Sequence, residues 1–153
     1  MIYDRIPDEL YKEILENMPI CCVDVIIHRD NEVLLIYRKE EPVKDTWWTP
    51  GGRVLKNEPL REAVKRKMKE ELGIDVDIEK SIGAYELMFD TGIYPDLETG
   101  THGITNLFLV KPKNDISITL DDTSEEYRWV DKVEDDFHPY LKKFLKDSNI
   151  FNK

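Results

Sequence analysis
The 153-residue chain is 41% hydrophobic and 35% charged, with a formal net charge of −10. That length suits one domain over residues 1–153 with a core of its own. Such acidity disfavours nonspecific nucleic-acid binding and means that any phosphate site needs local cations. No apolar run reaches the ~18 residues of a membrane span, and Met1-Ile2-Tyr3-Asp4 lacks a signal-peptide layout.

In chain order, Pro7 to Met18 reads as a short amphipathic helix ended by Pro19. Ile20 to His28 is β-rich and nearly continuous in apolar residues, so it is expected as a central strand. Its Cys21 and Cys22 read as core thiols rather than a disulfide, which fits a reducing cytoplasm. Asp24 interrupts the strand, and a buried acid there is either structurally hydrogen-bonded or substrate-facing. Arg29-Asp30-Asn31-Glu32 turns the chain into a second strand, Val33 to Tyr37, which delivers Arg38. After a loop come Trp47 and Trp48, read as core fillers rather than base-stacking platforms.

The segment from Gly51 to Ile74 is the most informative. Pro59 suits a first helical position with Asn57 or Glu58 as cap, and Gly73 suits the left-handed residue that stops the helix. Leu60, Ala63, Val64, Met68 and Leu72 form one apolar stripe. Glu71 falls inside that stripe with Lys67 one turn before it, and Glu70 lies at its edge. A carboxylate aimed at a core must be paired or bind a metal. Either a Lys67–Glu71 pair on a partly exposed helix or a cation site satisfies that requirement.

Farther on, Val76 and Ile78 begin an extended segment and Ser81 to Phe89 reads as a strand. The long polar connection from Asp90 to His102 is a natural seat for substrate specificity. Ile104 to Val110 is the next strand, and a short one is expected over Ile116 to Leu120. Thr123-Ser124-Glu125-Glu126 leads into Tyr127-Arg128-Trp129-Val130, and Phe137 to Leu145 forms a closing helix with a solvated His138 near its start. This order fits an α/β fold: a mixed sheet with helices on both faces.

Gly52, Glu58, Arg66, Met68, Glu70, Glu71, Gly73 and Ile74 match, in register over 23 residues, the pattern of the Nudix box. The single miss is Lys67, where that family usually has a glutamate. The resemblance implies a Nudix-type α/β/α sandwich and hydrolysis of a nucleoside diphosphate linked to another group. It implies Mg2+ as cofactor, with Mn2+ as the substitute ion, held by Glu71, by Glu70 and by the Gly51 carbonyl. Glu58 would fix Arg66 by a salt bridge, and Arg53 and Arg38 would reach the phosphates or remain ordinary surface arginines. Lys67 in place of a carboxylate suggests one metal rather than several.

Within the family the chain most resembles GDP-mannose mannosyl hydrolases, over residues 8 to 132. The likeness rests on the helix ending in proline, the strand bearing Asp24, Pro50-Gly51-Gly52-Arg53-Val54, Thr101-His102 and the acidic pair before Tyr127-Arg128-Trp129. It implies a nucleotide sugar as small-molecule substrate and suggests a homodimer. Four departures stand out. Ser124 replaces the histidine base, Thr123 replaces a metal-binding glutamine, Leu87-Met88-Phe89 lacks a histidine near the sugar, and Glu70 has no equivalent in their box. The base would then be a carboxylate: Glu125, Glu126 or Glu70. The alternatives are a pyrophosphohydrolase of nucleoside triphosphates or ADP-ribose-type substrates, and a catalytically weak nucleotide-binding domain.

Overall fold
A computed structural model describes residues 6–114 and 117–151. The elements run α1 (Asp8–Asn17), β1 (Ile20–Arg29), β2 (Glu32–Arg38), β3 (Trp47–Trp48), β4 (Gly51–Arg53), α2 (Leu60–Leu72), β5 (Val76–Phe89), β6 (Thr101–Pro112), β7 (Ser124–Val130) and α3 (Pro139–Ser148). Asp30 and Asn31, both at positive φ, make the two-residue turn from β1 to β2, the geometry that matches the twist of paired strands.

The strands follow the order β3-β2-β1-β6-β5, with β4 added to β1 and β7 to β2. Among the described residues only β1 and β6 pair in parallel, so the sheet is mixed. Side chains that alternate along each strand supply two cores. Val23, Val25, Ile27, Leu34, Ile36, Phe108 and Val110 meet Ala63, Val64, Met68 and Leu72 of α2. Their neighbours Ile26, Val33, Leu35, Leu107 and Leu109 meet Leu141, Phe144 and Leu145 of α3. This is the three-layer α/β/α arrangement expected of a Nudix fold.

β1 is the hinge of the layout. Its first residues pair with β4, Cys22 to Asp24 facing Arg53 to Gly51, while its last residues pair with β2. The sheet therefore opens beside Asp24, and a cavity occupies the opening.

Several local expectations need correction. Pro59 caps α2 from outside: its carbonyl accepts from Ala63 N, and no side chain caps the helix because Glu58 is engaged elsewhere. Cys21 is exposed and Cys22 half-buried, since the start of β1 borders the cavity rather than a core. The two segments expected between Val76 and Phe89 are one strand, bent by two register shifts. Glu125 and Glu126 lie within β7 rather than in a loop before it. Residues 117–120 form no strand; Ile116 lies outside the described residues. His138 is not merely solvated: it caps α3 by accepting from Tyr140 N through Nδ1, and it packs edge-on against Trp48.

Gly73 and Gly100 both take positive φ, near +69° and +68°. At Gly73 an added Cβ would meet only Thr119 Cβ at 3.7 Å, whereas at Gly100 it would overlap the Phe89 carbonyl oxygen. Gly73→Ala is therefore expected to cost about 1 kcal/mol, and Gly100→Ala clearly more, in paired urea titrations. Equal losses would refute the steric reading of Gly100.

Candidate active site
The box residues converge through Arg66. Its Nε donates to Glu58 Oε2 at 2.7 Å and its Nη2 to Glu58 Oε1 at 3.0 Å. Nη2 also donates to the Arg53 carbonyl at 3.0 Å, and Nη1 to Glu70 at 3.1 and 3.2 Å. Glu58 is buried and accepts a further bond from Leu55 N at 3.1 Å. One guanidinium thus pins the glycine loop, the turn and the helix together, and the Arg66 pairing and its bond from Leu55 hold the Glu58 carboxyl below the usual range despite burial.

Glu71 points at the loop. It is 4% exposed, its Oε2 accepts from Gly51 N at 3.3 Å, and Lys67 Nζ lies 3.4 Å from its Oε1. Burial pushes its carboxyl up to about 7, against the pull of Lys67, and the charge of Asp121 adds to the rise. Glu70 is half-exposed and shared between Arg66 and Lys67. Asp24 is buried and accepts from Thr49 Oγ1 at 2.8 Å and Thr105 Oγ1 at 2.5 Å. Its side chain is hydrogen-bonded, as the structural option expects, and the residue also lines the cavity. Burial outweighs those bonds and raises its pKa to about 6.

The cavity has a volume of about 270 Å³. Glu71, Lys67, Gly51, Gly52 and Arg53 line one end of it, and Leu15, Leu87, Phe89 and Ile93 supply an apolar wall. Arg38, anchored by its Nε to the Pro42 carbonyl at 3.0 Å, lines it too, and Arg53 lies over the Tyr11 ring. Tyr11 and Ile93 come from α1 and from the connection after β5. Those two segments are tied by Tyr94 Oη donating to Asp8 at 2.9 Å and by Lys12 beside Asp96 at 3.3 Å.

Asp24, Arg38, Arg53, Gly51 and Glu71 are thus brought together. Glu125 and Glu126 are exposed on β7, Glu70 is exposed on α2, and none of the three lines the cavity. His102 also lies off the cavity, beside Glu86. Thr49, Thr105, Tyr11 and the loop residues Glu40 and Glu41 were not anticipated. A threonine within the apolar run of β6 was a readable signal for Thr105; Tyr11 showed only its place on the apolar side of the first helix, since its contact with the cavity depends on how α1 docks.

Magnesium is usually held by one or two carboxylates plus water and substrate phosphate. Buried Glu71 beside the Gly51 backbone, with Glu70 near, fits one such ion. Among the described residues no three His, Cys, Asp or Glu side chains come together as a larger metal cluster.

Residues 18–147 match the NUDIX domain family, and the chain belongs to it. It is a hydrolase of the class acting on nucleoside diphosphate derivatives, and members of the family generally use a divalent metal. The chain is 34% identical to the low-salt glycan biosynthesis protein Agl8 of Haloferax volcanii over 141 residues, 92% of this chain and 89% of that protein. It is 37% identical to an ADP-ribose pyrophosphatase of Methanocaldococcus jannaschii over 92 residues, 60% of this chain and 50% of that one. The MutT protein of Methanosarcina mazei Go1 superposes with a TM-score of 0.71 at 25% identity, covering 90% and 98% of the two chains.

An acid whose folded pKa exceeds its unfolded value costs nothing while both states are protonated; the cost builds as pH climbs from the lower value to the higher. For Asp24 that window runs from about 4 to about 6, and the cost reaches about 3 kcal/mol. The stability of Asp24→Asn relative to wild type should therefore rise by up to that amount between pH 4 and pH 7, read by urea denaturation. A gap that does not change with pH would show that Asp24 ionises at no cost.

Proposed function
We propose that the protein is a Mg2+-dependent hydrolase of a nucleotide sugar, GDP-mannose-like in class, with Mn2+ able to substitute. The observation that carries this reading is the buried Glu71 carboxylate aimed at Gly51 in a cavity that also presents Lys67, Arg53 and Arg38. These three cations offset the negative charge of a diphosphate in a protein that is acidic overall. Glu71, Glu70 and the Gly51 carbonyl hold the ion, which when bound neutralises diphosphate oxygens and activates water. Arg38 and Arg53 orient the phosphates, and Asp24 accepts from a hydroxyl or N–H of the bound nucleotide sugar.

None of the three histidines lines the cavity. The proton of the attacking water therefore passes to a carboxylate, and the positions of Glu125 and Glu126 do not favour them for that task. The similarity to a glycan biosynthesis protein across nearly the whole chain supports a sugar-linked substrate. The partial similarity to an ADP-ribose pyrophosphatase favours a second reading, hydrolysis of an ADP-ribose-type diphosphate.

A panel of nucleotide sugars, ADP-ribose and nucleoside triphosphates, with and without Mg2+, tests this. The expected result is Mg2+-dependent turnover of a nucleotide sugar above the other classes. Glu71→Gln should lower kcat about 100-fold or more, as a loss of several kcal/mol of charge stabilisation implies. Preferred turnover of ADP-ribose would shift the assignment to the second reading, and no turnover of any member would refute both. Heavy-oxygen water reports whether carbon or phosphorus is attacked.

A further inference from the structure
Lys67 is the one box position that departs from the family pattern, and its placement is specific. Its side chain lies flat on the glycine loop: a Cβ added at Gly52 would come within 2.6 Å of Lys67 Cε and 3.1 Å of both Cδ and Nζ. The ammonium ends 3.4 Å from Glu70 Oε2 and 3.4 Å from Glu71 Oε1, on the cavity wall, and the side chain is only 16% exposed. It occupies the space between the carboxylates rather than waving from the surface.

The charges close on this arrangement. Glu58, Glu70 and Glu71 face Arg66 and Lys67, so three carboxylates meet two cations, and the Asp121 charge also acts on Glu71. One divalent ion suits such an acidic site and a diphosphate. A second would have to approach a fixed ammonium in a partly buried site, where like charges repel by several kcal/mol.

We propose that Lys67 is a tethered counter-ion that replaces a second divalent cation. The site then takes up a single ion, and the ammonium contacts the diphosphate directly. The inference rests on the metal-dependent reading above, but its consequences can be measured without turnover.

Binding of Mn2+ alone to the full chain, followed by electron paramagnetic resonance, should give one ion for wild type and one for Lys67→Met. Lys67→Glu, which sets three carboxylates on one helix face, should give at least two. Inorganic pyrophosphate binding by calorimetry should weaken about tenfold in Lys67→Met, with thermal melts reporting that each variant is folded. Two or more Mn2+ ions on wild type, or no gain in a folded Lys67→Glu, would overturn the proposal. So would unchanged pyrophosphate affinity in Lys67→Met, and this outcome stands even if Lys67→Glu does not fold. Absence of any Mn2+ binding in wild type, with pyrophosphate affinity still lost in Lys67→Met, would instead refute the metal-dependent reading and leave the ammonium's role supported.

Discussion
The guanidinium of Arg66 is the contact on which the candidate site depends. Glu58 is buried, and a carboxylate removed from water is tolerable only with near-complete hydrogen bonding. Arg66 supplies two of those bonds and spends its remaining donors on the Arg53 carbonyl and on Glu70. The planar fork is what allows this; a lysine would offer a point charge without the same directions. The glycine loop, the turn before α2 and the helix itself therefore move as one body. The distance from Gly51 to Glu71 is a result of that rigidity.

On this frame the protein places two acids where water is scarce. Glu71 and Asp24 both carry raised pKa values, and in both burial is the leading cause. The compensation differs in kind. Asp24 has two hydroxyl donors, and the Arg38 charge also acts on it. Glu71 has a backbone amide and an ammonium. Two carboxylates in one cavity are thus compensated by different neighbours.

Much of this was legible in the residue order because local rules and the fold agree. The apolar stripe of α2, the left-handed stop at Gly73 and the polar intrusions at Asp24 and Glu71 are each visible without coordinates, since periodicity and backbone preference determine them. What stayed hidden depends on packing between distant segments. Cys21 and Cys22 have core-like composition, yet β1 borders an opening there because β4 and β2 attach to different halves of it. Glu125 and Glu126 looked like loop acids, yet both lie exposed in β7, where a register shift against Tyr37 and Arg38 leaves Glu125 unpaired in the ladder. His138 carries no periodic signal; its capping bond to Tyr140 N is local, but its edge-on contact with Trp48 depends on how α3 docks.

The two ends of the cavity differ in how firmly they are held. The wall built by α1 and the connection after β5 is latched by a tyrosine hydroxyl on Asp8 and by an ion pair whose partners are 27% and 69% exposed. Exposed pairs of this sort contribute a few tenths of a kcal/mol and weaken with salt. Raised ionic strength is therefore expected to weaken the ion pair of this flank while leaving its ring contacts and the glycine loop in place.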